Sequence, residues 1–173
     1  NNDGLLDIYV GNDFHENDYL YINNGNKTFT ESNADYFNST SRFTMGVDVA
    51  DINNDAQLDL ITLDMMPYKA DVFLKSGGED SDKINEIKKA FGFQQQYARN
   101  HLQINKGSHF SDVALQTETH ATDWSWSPLL LDYNNDGLQD IYITNGIYKR
   151  PNDLDSVNYI SNVDFEKYEA GPL

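Results

Sequence analysis

The chain has 173 residues, of which 39% are hydrophobic and 13% aromatic, so it can bury the core of one domain and is not a disordered chain. Its 28 acidic and 12 basic residues give a formal charge of −16, which argues against nucleic acid as a partner. It contains no cysteine, and no apolar run approaches the roughly eighteen residues that a membrane-spanning helix needs.

The chain opens inside an acidic loop that recurs twice further on. Residues 1–7 match the last seven positions of nine-residue loops at 51–59 and 132–140. Oxygen-bearing side chains occupy positions 1, 3, 5 and 9 of the complete loops. Calcium takes six to eight oxygen ligands, and position 7 normally adds a backbone carbonyl. The loops therefore predict calcium sites, and because residue 1 already lies inside a loop, we expect a longer parent protein.

The segment after each loop distinguishes two kinds of calcium loop. Apolar runs at 8–12, 60–64 and 141–145 follow the three loops and predict strands. An EF-hand would instead need a bidentate glutamate at position 12 and a helix on each side. Position 12 is Thr62 in the second loop and Ile143 in the third, so an EF-hand is excluded.

A hairpin follows the first two loops. Segments 20–29 and 102–110 share a strand, an Asn/Gly turn and the start of another strand. Asp3 and Asp55 are 52 residues apart, whereas Asp55 and Asp136 are 81 apart, so about 30 residues are inserted between Asp59 and Leu102. Within this insertion, 82–91 is predicted as a helix that Asp80, Ser81 and Asp82 cap and Gly92 ends. Its apolar face is Ile84, Ile87, Ala90 and Phe91.

Strands at 43–50 and 124–131 precede the second and third loops. One repeat is thus strand, loop, strand and hairpin, which makes four strands in about 50 residues, the size of a propeller blade. Trp124 and Trp126 are two residues apart, so they are predicted to share one face, where packing between blades is favoured over sugar stacking. Beyond Ile147 the pattern breaks, with a turn-rich stretch and then a tail, through Asp164, Glu166 and Glu169, that is either helical or loosely ordered.

The D-x-N-x-D-G-x-x-D loops, the strands after them and the hairpin at 19–25 resemble the FG-GAP/VCBS repeat family, which forms β-propeller blades of the integrin alpha-subunit type. The stretches 11–20, 96–100 and 122–126 resemble a bacterial secreted subset in which such repeats often accompany an ASPIC/UnbV domain. No such domain is seen in this sequence. The resemblance implies an all-β fold of about three repeats over 1–148, a partial propeller with a short helical insertion at about 67–98, and a C-terminal extension at 149–173.

The resemblance also implies Ca²⁺ ligands at equivalent positions of each loop. One Asp/Asn/Gly run alone is equally well explained by an Asx turn, but three copies in phase favour calcium in a structural role. Ala56 replaces the position 6 glycine, which would cost about 1 kcal/mol if that turn needs positive φ. The implied ligands are Asp51, Asn53, Asp55, Gln57 and Asp59 in the second loop, Asp132, Asn134, Asp136, Leu138 and Asp140 in the third, and Asn1, Asp3, Leu5 and Asp7 in the first.

These features predict a calcium-stabilised binding module, extracellular or on a bacterial cell surface, that recognises a protein or a glycan. Two alternatives stay open. One is a fragment of a propeller-scaffold polysaccharide-active enzyme, which clustered His, Tyr and Arg around a deep channel would favour. The other is a structural subunit of a surface assembly. No catalytic residue is predicted. Propellers usually need four blades to close, so the remaining blades would come from a longer chain or a partner subunit.

Overall fold

The computed structural model describes residues 1–14, 16–76, 80–147 and 150–162. This part of the chain is mostly antiparallel sheet with a few short helices, so the all-β prediction is confirmed. The strands are β1 (Ile8–Val10), β2 (Tyr19–Asn23), β3 (Phe29–Glu31), β4 (Thr40–Ser41), β5 (Gly46–Ala50), β6 (Asp59–Leu63), β7 (Gln96–Tyr97), β8 (His101–Asn105), β9 (Phe110–Asp112), β10 (Ser125–Leu131) and β11 (Asp140–Asn145). The helices are α1 (Asn33–Tyr36), α2 (Ala70–Phe73), α3 (Asp82–Ala90) and α4 (Leu154–Ser161).

The central sheet is one complete blade, hereafter blade 2, with four antiparallel strands in the order β5-β6-β8-β9. The second loop joins β5 to β6, and a hairpin joins β8 to β9, as the repeat predicts. All five residues of β6 are buried. A strand buried on both faces forms where sheets pack against each side of it.

Two further sheets flank blade 2. The sheet β1-β2-β3, hereafter blade 1, contains the strand that follows the first loop and the two strands of the first hairpin. The sheet β10-β11, hereafter blade 3, contains the strands before and after the third loop. The registers are equivalent, because Tyr9 pairs with Leu20 in blade 1 and Ile61 pairs with Leu102 in blade 2. The described chain therefore repeats one unit, and the predicted blade pattern holds at the level of strand pairing.

The two hydrophobic clusters lie between the blades. Alternate residues of β6 face opposite ways, so Leu60 joins Leu20 and Phe37 in the cluster shared with blade 1. Ile61 and Leu63 face blade 3, where they form a second cluster. That cluster consists of Ile61, Leu63, Leu102, Ile104 and Ala114, with Ile141 and Ile143 of β11 packed against it.

The first strands of neighbouring blades approach closely. The backbone N–H of Leu130 on β10 donates to the Asp48 carboxylate on β5 at 2.7 Å. A Cβ on Gly46 would overlap the backbone carbonyl of Trp126, so only glycine fits at this crossing. Trp124 precedes β10, and the register shifts between Ser125 and Ser127. The prediction that both tryptophans share one face of a regular strand is therefore wrong in its premise.

The insertion lies between β6 and β8 and contains α2, α3 and β7. The predicted helix at 82–91 is observed as α3, and Gly92 follows it with a φ of +87°. One detail was wrong, because Ser81 holds the N-cap position without a side-chain cap bond. The apolar face of α3 is not buried among the described residues, and Phe91 is 80% exposed.

Contacts with β4 and with Arg42 beside it hold the insertion in place. The Asp80 carboxylate forms ion pairs of 2.7 Å with both Arg42 and Lys88, and these side chains are about nine-tenths buried. Strand β7 also pairs in parallel with β4. The insertion is therefore attached at both ends of α3.

Helix α4 follows blade 3 and contacts the insertion. The Asp153 side chain caps it by accepting from Ser156 N at 3.0 Å, and Leu154 N donates to Lys75 O at 2.7 Å. None of the helices in these ranges is long and apolar enough to span a membrane. The tail prediction at Asp164, Glu166 and Glu169 lies outside the described residues.

Candidate metal centres

The second and third loops form the same hydrogen-bond network. In the third loop the Asp132 carboxylate at position 1 accepts from Asp136 N at 3.1 Å and from Gly137 N at 2.9 Å. In the second loop Asp51 accepts from Asp55 N at 3.0 Å and Ala56 N at 2.8 Å. Position 1 thus holds the backbone of positions 5 and 6 in both loops.

The remaining predicted side chains occupy equivalent places. Position 3 accepts from the N–H of position 5, at 3.0 Å for Asn53 and 2.9 Å for Asn134. Position 5 accepts from the N–H of position 7, at 3.0 Å for Asp55 and 2.9 Å for Asp136. Position 9 reaches back to the N–H of position 2, where Asp59 accepts from Ile52 N at 3.0 Å and Asp140 from Tyr133 N at 3.1 Å.

The first loop shows the part of this network that its residues allow. Asp3 N donates to Asn1 Oδ1 at 3.2 Å, and Leu5 N donates to Asp3 Oδ1 at 2.8 Å.

The backbone of every loop turns through two left-handed residues. Position 6 has φ of +82° at Gly4, +65° at Ala56 and +85° at Gly137. Position 4 is asparagine in all three loops, with φ between 57° and 60° at Asn2, Asn54 and Asn135. Asparagine tolerates this conformation better than other non-glycine residues. The sequence left open whether Ala56 has a positive or a negative φ, and the observed +65° excludes the negative one.

The donor set of each complete loop fits a hard divalent cation. It offers three aspartates, one asparagine and one backbone carbonyl, all oxygen donors on nine residues of chain, and Ca²⁺ prefers such ligands. A carboxylate oxygen that accepts one N–H keeps a second lone pair. Within the described ranges, no group of three or more His, Cys, Asp or Glu side chains is gathered closely enough to hold a metal by itself. The sets predicted here include amide and carbonyl oxygens as well.

The carboxylates of the second loop influence one another. Burial raises the pKa of Asp59, and the charges of Asp55 and Asp51 raise it further, while N–H groups of Asn105 and Ile52 lower it. Three carboxylates, those of Asp51, Asp55 and Asp59, are therefore close enough to interact electrostatically at the loop end of blade 2.

An asparagine of the hairpin supports each of the first two loops. Asn105 N donates to Asp59 Oδ1 at 2.9 Å, and its side-chain amide donates to Leu58 O at 3.2 Å. Asn23 does the same with Asp7 and Leu6, at 2.8 and 3.1 Å. The sequence analysis did not predict that these asparagines contact the loops. The Asn/Gly turn that recurs in both hairpins was the pattern that could have indicated it.

Consecutive loops are bonded directly to one another. The Asn2 side-chain amide donates to Ala56 O at 3.2 Å, and that of Asn54 donates to Gly137 O at 3.1 Å. In each case position 4 of one loop reaches position 6 of the next. Sequence reasoning did not find these bonds, because their partners are 54 and 83 residues apart.

A cluster at the start of β8 contains the residue types that would favour an enzyme. Arg99 pairs with Asp112 at 2.7 Å and lies over the Tyr97 ring, and the His101 ring stacks on Tyr97. Burial lowers the pKa of His101 to about 4, although Asp112 acts in the opposite direction, so this histidine is neutral at pH 7. His101 is 1% exposed and Arg99 is ion-paired, whereas Tyr97 is 38% exposed.

The loop end of the molecule also has apolar surface. A cavity of about 390 Å³ opens between the first two loops, and Leu5, Leu6, Val49 and Leu58 contribute to its lining. Leu6 is 85% exposed. Exposed apolar groups beside a cavity, bordered by polar loop residues, are features of interaction sites.

Residues 1–62 match the family model of the FG-GAP-like repeat. The resemblance inferred from the loops is therefore confirmed over the first loop, the first hairpin and the second loop, and this chain carries an FG-GAP-like repeat. The match gives no support for an accompanying ASPIC/UnbV domain. A search of curated proteins and a search of solved structures each found no match. Together with the antiparallel blades, the repeat indicates a β-propeller-type interaction module.

Proposed function

We propose that this chain is a calcium-stabilised interaction module. The observation that carries the proposal is the pattern shared by the second and third loops, in which the side chains of positions 1, 3, 5 and 9 accept hydrogen bonds from equivalent backbone N–H groups. Asp51, Asn53, Asp55, Asp59 and the Gln57 carbonyl would hold one ion. Asp132, Asn134, Asp136, Asp140 and the Leu138 carbonyl would hold the other.

Calcium has a structural role in this proposal. The second loop joins β5 to β6 and the third joins β10 to β11, so a cation bound in either loop would tie two strands together and offset repulsion among carboxylates. The formal charge of −16 makes this contribution large for a chain of 173 residues. The first loop would contribute Asn1, Asp3, Asp7 and the Leu5 carbonyl.

The recognition role is supported by the surface at the loop end. FG-GAP repeats are typical of extracellular or surface proteins, and we place this module there. We propose a protein or a glycan as the partner. The cavity between the first two loops, with its exposed leucines, offers apolar contact, and the surrounding Asx-rich loops offer hydrogen bonds.

Thermal unfolding with calcium and with excess chelator tests the structural role. We expect the midpoint to fall by several degrees or more in chelator, because ligands that bind only the folded state stabilise it by mass action. Isothermal titration should also show that Asp136→Ala binds one calcium fewer than the wild type. An unchanged midpoint would contradict the structural role of calcium, and an unchanged stoichiometry would mean that the third loop binds none.

A further inference from the structure

The position 4 asparagines connect the candidate calcium loops in series. Asn2 reaches the second loop and Asn54 reaches the third, each through its side-chain amide and a backbone carbonyl. Because the acceptor is a carbonyl, the side-chain group that faces it must be the NH₂ group. The same contact occurs at two independent blade junctions.

The two ends of this bond lie between calcium ligands. Position 4 stands between the ligand side chains of positions 3 and 5, and position 6 stands between the side chain of position 5 and the carbonyl of position 7. A bond to the position 6 carbonyl restrains the peptide that leads into position 7. Ordering one loop therefore orders a ligand-bearing segment of the next.

We propose that Asn54, and likewise Asn2, couple calcium binding between consecutive loops, so that the ions bind cooperatively. This inference rests on the proposed calcium sites. Glycine adopts the left-handed backbone readily but has no side chain to donate the hydrogen bond. Aspartate has the same shape as asparagine, but its carboxylate can only accept hydrogen bonds at neutral pH. Asparagine meets both requirements. In the described residues Asn135 has the same φ and forms no bond to another loop, so it provides a matched control.

The test is a calorimetric calcium titration of chelator-stripped protein in four forms: wild type, Asn54→Gly, Asn54→Asp and Asn135→Gly. In the wild type the second ion should bind more tightly than independent sites predict. Asn54→Gly and Asn54→Asp should weaken that step by about two- to tenfold, the range of one net hydrogen bond. Asn135→Gly should titrate like the wild type.

A double-mutant cycle that combines Asn54→Gly with Asp136→Ala tests whether the coupling acts between the second and third loops. Emptying the third loop should lower the affinity of the second loop in the wild-type background and leave it unchanged in the Asn54→Gly background. Independent binding in the wild type, or wild-type cooperativity in both Asn54 variants, would overturn the coupling while the calcium sites stand. A wild type that binds no calcium would overturn both proposals.

Discussion

Ala56 adopts a φ of +65° at the position where the first and third loops have glycine. A β-carbon at positive φ clashes with its own backbone, which makes alanine less stable than glycine there. At Gly137 an added Cβ would meet no atom within 4 Å, so backbone conformation alone decides the cost. These two residues therefore form a reciprocal pair for measuring that cost.

We expect Ala56→Gly to raise the free energy of unfolding by about 0.5–1 kcal/mol and Gly137→Ala to lower it by a similar amount. Urea unfolding in chelator isolates the backbone effect from metal binding. Changes of the same sign in the two variants would contradict the reading that position 6 is strained by its φ.

At the scale of elements, one buried carboxylate links the insertion to the segment before blade 2. Asp80 precedes α3 and pairs with Arg42 beside β4 and with Lys88 inside α3. Removing one partner of a buried pair leaves uncompensated charge, which costs far more than losing an exposed pair. Lys75 and Asp155 form such an exposed pair at 3.2 Å between the insertion and α4.

We expect Asp80→Asn to destabilise the docked insertion by about 2–4 kcal/mol and Asp155→Asn by less than about 0.5 kcal/mol. Hydrogen exchange measures this locally. The amides of α3 should lose protection in Asp80→Asn while those of β6 and β8 keep theirs. Equal protection of α3 in both variants would show that Asp80 does not hold the insertion.

At the scale of the whole molecule, buried carboxylates link folding to pH. Asp64 directly follows β6, is fully buried and accepts from Ser41 Oγ at 2.6 Å and from Phe43 N at 2.9 Å. Burial raises the pKa of Asp64 to about 6 despite these bonds. Burial likewise raises the pKa of Asp18, which joins Tyr9 of blade 1 to Thr44 before blade 2.

The sign of the pH effect follows from the raised pKa of Asp64. Between about pH 4 and pH 6 the unfolded chain has released this proton and the folded chain retains it, so the Asp64 contribution to stability falls as pH rises. The loss is on the order of 2–3 kcal/mol and is complete above pH 6. A carbon-13 titration of the Asp64 carboxyl group should have its midpoint near 6. A midpoint near 4 would contradict the prediction.

The sequence by itself determined the loops, the strands around them, the hairpins and the place of the insertion. Each of these depends on local geometry: the spacing of oxygen side chains, the alternation of strand residues, and Asn/Gly turns. Repetition at a period near 52 made them consistent with one another. The match to the FG-GAP-like repeat confirms the predicted repeat over residues 1–62.

Only the tertiary structure decided the φ of Ala56, the bond from Asn54 to Gly137, the attachment of the insertion through Asp80 and the raised pKa of Asp64. The exposure of Ile84, Ile87 and Phe91 on the apolar face of α3 was decided there too. All of these depend on which distant segments meet in space. Local sequence patterns do not specify which distant residues become neighbours, because the packing of the folded chain determines those contacts.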